Sequence, residues 1–227
     1  MIPSPAALPT IVQPAAQLLA MLQAYPDRRA VVGIVGLPGS GKSTVATQLA
    51  AEVNAQVGPG TVLALGMDGF HLSRAALAQM SDPAAALARR GSPWTFDPAG
   101  LKARITALRK ASLQPGAAPV LWPEFEHSVG DPQEDAVAIG PATRLVLVEG
   151  LYLLHRGHGW NLDGLLDACW YLDVPMGVAM QRLVARHQAA WGLTVAQAEA
   201  RLALNDRLNA ETVALTRGDA DGLLPNP

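Results

Sequence analysis

The sequence has little of what several protein classes need. Its 227 residues include one cysteine, Cys169, so no disulfide forms within the chain, and a reducing cytoplasm is the expected location. The net charge is 17 − 19 = −2, which indicates neither a nucleic-acid-binding nor a membrane-binding surface. No apolar run approaches the roughly 20 residues of a membrane-spanning helix. The N-terminus lacks a basic segment and carries Pro3 and Pro5, so no signal peptide is expected.

One stretch carries a specific chemical signal. Residues 36–44 read GLPGSGKST and fit G-x-x-x-x-G-K-[ST], a loop whose backbone N–H groups wrap a polyphosphate. Lysine at the seventh position can reach the β- and γ-phosphates, and the serine hydroxyl that follows can bind Mg²⁺. The predicted nucleotide contacts are Gly36, Pro38, Gly39, Ser40, Gly41, Lys42, Ser43 and Thr44, with Ser43 also a predicted metal ligand.

The surrounding sequence supports this interpretation. Residues 30–35 form a short β-branched run typical of a buried parallel strand. After the loop, Val45, Leu49 and Val53 recur at four-residue spacing and predict a helix over 43–57. Strand, glycine loop and helix follow in the order that a phosphate site requires, which favours it over a glycine-rich turn that binds nothing.

Two acidic residues follow predicted buried strands. Asp68 comes shortly after a strand over 61–65, and Glu149 ends a strand over 145–150. Ligands of doubly wound sheets bind beyond the carboxyl ends of the strands, so both acids are expected at the edge that holds the phosphate loop. Asp68 can accept a proton or hold Mg²⁺, and Glu149 can lie near Mg²⁺. The alternatives are a helix cap for Asp68, near Ser73, and an unrelated turn residue for Glu149.

A helix that begins after Pro175 is predicted to form a small lid over 176–193, with Met176, Met180 and Leu183 facing the core. On another face Arg182 and Arg186 are one turn apart. Their mutual repulsion would be offset by an anion between them, although ordinary surface arginines fit the same pattern.

Several residues could contact a second substrate. Arg90 and Trp94 belong to a Gly/Pro-broken aromatic stretch that suits a pocket, or equally two solvated arginines beside a buried Trp. His71 is a substrate contact or a local structural histidine. Thr194 and Gln197 form a capping box for a helix on which Arg201, Asn205 and Asn209 share a polar face, lining a pocket or facing solvent.

The remaining pattern predicts an α/β fold of the P-loop NTPase type, with three α/β/α layers, a mainly parallel five-stranded sheet and a small helical lid. We expect a single domain over 1–227 that includes an N-terminal helical extension over 1–29, in which a helix covers 10–24. Asp97 should cap a helix that buries Leu101, Ile105 and Leu108. The other predicted elements are a hairpin pairing 118–127 with 137–139 and strands over 168–173 and 221–224.

Seven segments in order resemble the phosphoribulokinase/uridine kinase superfamily of small-molecule kinases. They are GLPGSGKST, MDGFHL, RRGSPWTFD, WPEFEH, VEGLYLL, RLVARH and NDRLNAETVALTRGDADGLL. The resemblance runs from Ala30 to Leu224. Within this superfamily the sequence resembles bacterial pantothenate kinases and, more strongly, bacterial proteins called fructose-transport-system kinases.

The resemblance implies roles for individual residues. Asp68 would be the catalytic base and Glu149 the second acid near Mg²⁺, while Arg182 and Arg186 would contact the transferring phosphate. Asp221 would lie in a loop against adenine. The predicted substrate contacts are His71, Arg90, Trp94, Phe125, His127, Asn205 and Asn209, and of these the resemblance implies Arg90, His127, Asn205 and Asn209. The sequence departs from pantothenate kinases at WPEFEH, which replaces a Pro-x-Tyr-Ser-His pattern, and it lacks a full uridine kinase signature.

The sequence therefore predicts an ATP- and Mg²⁺-dependent kinase, with Lys42, Asp68, Glu149, Arg182 and Arg186 as its catalytic residues. The acceptor would be a hydroxyl of a sugar, a nucleoside or a pantothenate-like acid. The alternative is a P-loop GTPase or ATPase that regulates and transfers nothing. A GTPase is expected to carry N-K-x-D, and none of Lys42, Lys102 and Lys110 has that context. Whether the chain forms a homodimer is left open.

Overall fold

The core of the protein is a sheet of five parallel strands. A computed structural model describes residues 9–126 and 129–226, with 9, 10 and 126 described by their backbone alone. The strands are β1 (Ala30–Gly36), β2 (Val62–Gly66), β3 (Val120–Glu126), β4 (Asp131–Ile139), β5 (Leu145–Gly150), β6 (Ala168–Asp173) and β7 (Gly222–Pro225). The main sheet has the order β2-β5-β1-β6-β7, with every neighbouring pair parallel.

In this register the carboxyl ends of the central strands lie side by side. Val35 of β1 pairs with Gly150 of β5, and Gly66 of β2 pairs with Glu149. All seven residues of β1 are buried, as expected for a strand covered on both faces. The edge beyond these ends is therefore shared by the loops that follow β1, β2 and β5.

Helices flank the sheet and confirm the predicted α/β architecture. They are α1 (Pro9–Ala24), α2 (Lys42–Val57), α3 (Arg74–Leu77), α4 (Pro83–Ala88), α5 (Pro98–Lys110), α6 (Met176–Trp191), α7 (Val195–Leu204) and α8 (Asp206–Ala214). The N-terminal helix α1 buries Ile11, Ala15, Leu18 and Leu22 in the core. Within the described ranges, no helix combines the length and apolar character needed to cross a membrane.

Local sequence signals set several helix ends as predicted. Asp97 caps α5 by accepting a hydrogen bond from the Gly100 amide at 2.9 Å, and α5 buries Leu101, Ile105 and Leu108. The Thr194–Gln197 capping box starts α7. Helix α6 ends at Gly192, whose φ of 62° suits glycine.

Helix α6 turns its predicted face to the core: Leu183 is buried, and Met176 and Met180 are half-buried and packed against the core. One helical prediction was wrong. The single helix predicted after Thr194 is two helices, because the chain breaks at Asn205 with φ −138° and ψ −63°. The Asn205 side chain hydrogen-bonds to Arg89 and to the Arg90 carbonyl, which precede α5, as well as to Asn209 of α8, and such side-chain bonds compete with helix continuation.

Strands β3 and β4 form a separate antiparallel pair that is longer on its second strand than predicted. Trp122 is buried, and its Nε1 donates to the Gly66 carbonyl at 3.0 Å. The hairpin also approaches Gly69 so closely that a Cβ there would lie 2.0 Å from the Pro123 carbonyl oxygen. These contacts fix the hairpin beside the end of β2.

At the amino ends of the strands, opposite the phosphate loop, a buried carboxylate binds two arginines and a backbone amide. Asp167 accepts hydrogen bonds from Arg28 at 2.8 and 3.0 Å and from the Val31 amide at 2.9 Å, and it pairs with Arg109 at 3.0 Å. Burial raises the pKa of Asp167, but the hydrogen bonds from Arg28, Val31 and Arg109 outweigh it and leave that pKa below its usual value. This carboxylate thus ties β1, β6 and α5 together.

Candidate active site

The phosphate loop connects β1 to α2 and is packed against α6. Gly39 has a φ of 79° and Gly41 a φ of 94°, a region that glycine occupies without strain. A Cβ at Gly39 would lie 2.5 Å from the Ala179 carbonyl oxygen and 2.7 Å from Leu183 Cγ. The predicted lid helix is therefore in direct contact with the loop.

Lys42 is buried at the start of α2 and donates a hydrogen bond from Nζ to the Leu37 carbonyl at 3.1 Å. Burial lowers the pKa of Lys42, and the charges of Glu149 and Asp68 oppose that change, whereas Arg186 adds to it. The lysine lines the same cavity as both acids. Its charge is therefore balanced locally by carboxylates.

Glu149 ends β5 next to the phosphate loop. The Ser43 hydroxyl donates a hydrogen bond to Glu149 Oε1 at 2.8 Å. Burial raises the pKa of Glu149, Lys42 and the Ser43 bond lower it, and nearby Asp68 raises it further. A cation bound between these groups would relieve the repulsion between the two acids.

Asp68 lies in a 3₁₀ turn over Met67–Phe70, directly after β2. It does not cap the helix that follows, because the Ser73 hydroxyl accepts the capping bond from the Ala76 amide at 3.1 Å. Its backbone carbonyl accepts a hydrogen bond from the His71 amide at 3.1 Å. The side chain is thus free of the capping role that the sequence left open.

Asp68 lines two cavities of about 430 and 270 Å³, and Ser43 and Glu149 line both of them as well. The larger cavity extends from the phosphate loop to the helices α6 and α8. Its lining includes Pro38, Gly39, Gly41, Lys42, Thr44, His71, Arg90, Gly91, Phe96, Leu151, Arg182, Leu183, Arg186, Asn205, Asp206 and Asn209. Most of the predicted site residues therefore converge on one space.

The oxygen ligands fit magnesium shared with a nucleotide. Among residues 9–126 and 129–226 no group of three or more His, Cys, Asp or Glu side chains could hold a metal ion alone. Mg²⁺ is usually bound through one or two carboxylates together with substrate phosphates and water. Ser43, Asp68 and Glu149 supply such an incomplete set of oxygens beside the phosphate loop.

Both predicted lid arginines line the larger cavity but differ in their contacts. Arg182 donates from Nη1 to the Ser40 carbonyl and from Nη2 to Asn226 Oδ1, each at 3.1 Å. Arg186 is exposed and makes no hydrogen bond or ion pair with any residue that the structure describes. Arg182 thus supports the loop, whereas the Arg186 guanidinium is available to an anion.

An aromatic group lies beside Asp68. The His71 ring lies between Phe96 and Phe125, at centroid distances of 4.0 and 4.7 Å, and its Nδ1 is 2.8 Å from the Asp68 carbonyl. Phe125 lines the smaller cavity, whereas Trp94 is half-buried and lines neither. His127, another predicted substrate contact, lies outside the described residues.

Arg90 is not a solvated arginine. Its Nη2 donates to Asp131 Oδ1 at 2.8 Å and to the Leu72 carbonyl at 3.0 Å, and its Nη1 donates to the Gly130 carbonyl. The guanidinium carbon is also 5.3 Å from the Phe125 ring centroid. Arg90 therefore joins the hairpin to the loop that precedes α5.

Asn205 and Asn209 face the same cavity, so the pocket alternative for these residues is the one observed. The amide of Asn205 donates to the Arg90 carbonyl at 2.7 Å, and its oxygen accepts from Arg89 Nε at 3.2 Å. Asn209 is buried, and its oxygen accepts from the Ser92 hydroxyl at 3.2 Å. Arg201 lies elsewhere, exposed and 4.3 Å from the Trp191 ring centroid.

Asp221 is not brought to the cavity. Its carboxylate accepts a hydrogen bond from the Cys169 amide at 2.7 Å, near the amino end of β6. The phosphate loop lies at the other end of that strand, where Gly36 pairs with Leu172. The expected contact with adenine is corrected accordingly: Asp221, directly before β7, binds the backbone of β6 at the end of the sheet away from the phosphate loop.

Sequence reasoning missed Asp206, which begins α8 and lines the larger cavity. Burial raises the pKa of Asp206, and His187, with Nε2 3.6 Å from Asp206 Oδ2, lowers it. The one sequence signal for this residue was its position next to Asn205. It could not be used while 194–209 was interpreted as one continuous helix.

A phosphate loop, two acids and an arginine that has no partner among the described residues lie together beyond the carboxyl ends of the parallel strands, the arrangement typical of P-loop kinases. The chain is 39% identical over 162 residues to the ATP-dependent kinase-like protein notR′ of Aspergillus versicolor, covering 70% of this chain and 93% of that protein. It is 35% identical over 186 residues to a Schizosaccharomyces pombe protein assigned as a uridine kinase, covering 81% and 77%. A crystal structure of a Silicibacter protein assigned as a fructose transport system kinase superposes with a TM-score of 0.80 at 35% identity, covering 93% and 98%. The chain belongs to this uridine-kinase-like family of P-loop kinases, as its motifs predicted.

A second similarity covers less of the chain. The profile of the methylmalonyl Co-A mutase-associated GTPase MeaB family matches residues 5–68. That span contains β1, the phosphate loop, α2 and β2, and ends at Asp68. It excludes β5 with Glu149, the β3–β4 hairpin and the helices α6 to α8, so the match concerns the nucleotide half of the site.

Proposed function

We propose that this protein transfers the γ-phosphate of ATP to a hydroxyl group of a small metabolite. The observation that carries the proposal is the convergence of Ser43, Asp68 and Glu149 on two adjoining cavities beside the phosphate loop. Such an arrangement leaves room for an acceptor next to the terminal phosphate. Relatives named as ATP-dependent kinases support the same reaction class.

The nucleotide side would work mainly by positioning. The loop backbone and Lys42 would hold the phosphates, and Ser43 with the two acids would hold magnesium. Magnesium would supply positive charge to the β- and γ-phosphate oxygens. Arg186, without a partner among the described residues, would contact the transferred phosphoryl group, where charge stabilisation contributes most.

Asp68 would accept the proton of the acceptor hydroxyl. It lines both cavities, and the 3₁₀ turn that carries it is held by the His71 amide and by the hairpin contact at Gly69. General base catalysis of this kind contributes roughly 10²- to 10⁴-fold to a rate. Glu149 would bind the metal rather than the acceptor, because the hydrogen bond from the Ser43 hydroxyl holds its carboxylate beside the other proposed metal ligand.

The variant Asp68→Asn tests this assignment. We expect nucleotide affinity within a few-fold of the wild type, since the loop is untouched, and acceptor-dependent ADP release lower by roughly 10²- to 10⁴-fold. Asp82→Asn is the matched control, because Asp82 is exposed and caps α4, a role that Asn also fills. Phosphotransfer by Asp68→Asn at the wild-type rate would refute the base assignment.

The alternative is a GTPase or ATPase that transfers nothing to a metabolite, and the MeaB profile match over residues 5–68 favours it. Against it, none of the three lysines belongs to an N-K-x-D element. A preference for GTP over ATP, with hydrolysis unaffected by any hydroxylated metabolite, would support this alternative.

We also propose that the reaction takes place in the cytoplasm. The single thiol suits a reducing compartment, and burial raises the pKa of Cys169 to about 12, which keeps it an unreactive core residue. Assembly into a homodimer stays an open expectation.

A further inference from the structure

The charges around the acceptor-facing end of the larger cavity indicate what kind of acceptor fits. By acceptor end we mean the lining residues His71, Arg90, Phe96, Asn205, Asp206 and Asn209, which come from the chain between β2 and α5 and from the start of α8 rather than from the phosphate loop or α6. Among the described residues of this group, Arg90 is the one permanently cationic side chain. Whether Arg90 can attract an anionic substrate therefore decides the electrostatics of this end.

Arg90 is already neutralised. Asp131 accepts its hydrogen bond at 2.8 Å, and the two carbonyls of Leu72 and Gly130 occupy further donors. The Arg90 side chain is 15% exposed and that of Asp131 is 31% exposed, so the pair is only partly screened by water. Burial raises the pKa of Asp131, but bonds from the Arg74 amide and Arg90 outweigh it and lower that pKa, so the acid is charged at neutral pH.

The neighbouring arginine is occupied as well. Arg89 donates to Asn205 Oδ1 at 3.2 Å and to the Ser92 hydroxyl at 2.9 Å. It therefore supports the two asparagines from behind, and it is not part of the cavity lining. The described residues of the acceptor end therefore offer no uncompensated cation, whereas Arg186, which lines the same cavity from α6, is assigned to the transferred phosphoryl group.

Two acids line this part of the cavity. Asp206 lies at the acceptor end, with His187 Nε2 3.6 Å from its Oδ2; burial raises the pKa of Asp206, and the charges of His187, Arg186 and Arg201 lower it. Burial lowers the pKa of His187, which favours its neutral form. Asp68 adds a second carboxylate beside His71. An acceptor with a carboxylate or phosphate would meet the Asp68 carboxylate here, and a contact between like charges is a means of rejecting a substrate.

We propose that the acceptor is a neutral or cationic polyhydroxyl compound, and that Asp131 is a specificity-determining residue that rejects anionic acceptors by neutralising Arg90. The inference rests on the proposed kinase function and narrows its substrate class. Asp131 acts through Arg90 and does not itself line either cavity.

The variant Asp131→Asn tests this directly. Asn keeps an oxygen that can accept from the Arg74 amide and from Arg90, so the local fold is retained while the negative charge is lost. Glucose, glucosamine and gluconate serve as neutral, cationic and anionic probes of one carbon skeleton, with uridine, pantothenate and fructose 6-phosphate as further probes. Two readouts are measured: ADP release with Mg·ATP, and thermal-shift titration with Mg·ADP, which needs no turnover.

In the wild type we expect only neutral or cationic probes to raise ADP release. Asp131→Asn should bind gluconate, pantothenate or fructose 6-phosphate about tenfold more tightly than the wild type, because the positive charge of Arg90 is no longer neutralised and can attract an anion. Asp131→Glu, which keeps the charge, should discriminate like the wild type. Asp135→Asn is the control. Asp135 lies on β4 like Asp131, but it pairs with Arg104 of α5, and its φ of 56° is one that Asn tolerates.

Each proposal has its own contrary result. A wild-type preference for carboxylate or phosphate acceptors, or no gain in anion binding by Asp131→Asn, overturns the specificity inference alone. If no probe or other hydroxylated metabolite raises ADP release although Mg·ATP binds, it is the kinase function that fails. In that case the thermal-shift titration still decides whether Asp131 masks Arg90.

Discussion

At the scale of single residues, Gly39 belongs to both the phosphate loop and the contact with α6. Its φ of 79° already favours glycine, and the position of a Cβ lies 2.5 Å from a backbone oxygen of Ala179, which cannot move without shifting the helix. The loop and the helix bearing Arg182 and Arg186 are thereby held at a fixed separation.

We expect Gly39→Ala to lower stability by more than strain alone, which costs roughly 1–3 kcal/mol for a left-handed residue. The control Gly60→Ala has a similar φ of 77° but open space around the new methyl group, so it isolates the strain. Chemical denaturation of both variants gives the difference. Equal losses in the two would show that the contact with Ala179 is unimportant.

Residue-scale prediction from sequence succeeded where chemistry is encoded locally. Ser43, Lys42 and Glu149 could be found because a motif or a strand end specifies each of them, and the structure brings them together. Asp131 and Asp206 could not be found, since their roles depend on partners 41 residues away in one case and on a helix break in the other.

At the scale of elements, α6 contributes two arginines of different character. Arg182 hydrogen-bonds to the Ser40 carbonyl, whereas Arg186 is without a partner in the described part of the chain. The first is a structural support of the loop and the second is free for a ligand.

Arg186→Ala should therefore leave the melting temperature of the free protein unchanged and reduce turnover, by roughly 10³-fold if it contacts the transferred phosphoryl group. Arg182→Ala should lower both the melting temperature and turnover. Thermal melts and acceptor-dependent ADP release separate the two. Identical effects of the two variants on stability would contradict this division.

Element prediction was accurate for the sheet and poor around Asn205. Continuous β-branched runs fix buried strands, and Asp97 and the Thr194–Gln197 box fix helix starts, because these signals act over a few residues. The break between α7 and α8 arises from side-chain bonds of Asn205 to Arg89 and to the Arg90 backbone, which no local pattern announces.

At the scale of the whole molecule, Asp167 links β1, β6 and α5 at the amino ends of the strands, opposite the candidate site. Its pKa is lowered in the folded protein, so its stabilising contribution is complete above the unfolded pKa near 4 and is lost as pH falls through the folded value. Protonation would weaken the bonds to Arg28 and Arg109 together.

Asp167→Asn is expected to cost about 1.5–3 kcal/mol at pH 7, the range for hydrogen bonds to charged groups. The difference from the wild type should shrink below about pH 4, where the wild-type carboxylate is also neutralised. Urea unfolding at pH 7, 5 and 3 measures both. Asp163→Asn, in a pair whose side chains are 61% and 60% exposed, should change little, and a pH-independent loss in Asp167→Asn would contradict the linkage.

The close packing of the Pro123 carbonyl against Gly69, which leaves no space for a Cβ, has a consequence for how such enzymes diversify. The turn that carries Asp68 and the hairpin that lines the smaller cavity meet at this contact, so we expect that neither can be exchanged between relatives without the other. A chimera that imports only a foreign hairpin should misplace Asp68, whereas one that transplants residues 62–139 as a block should carry its donor's acceptor preference with it.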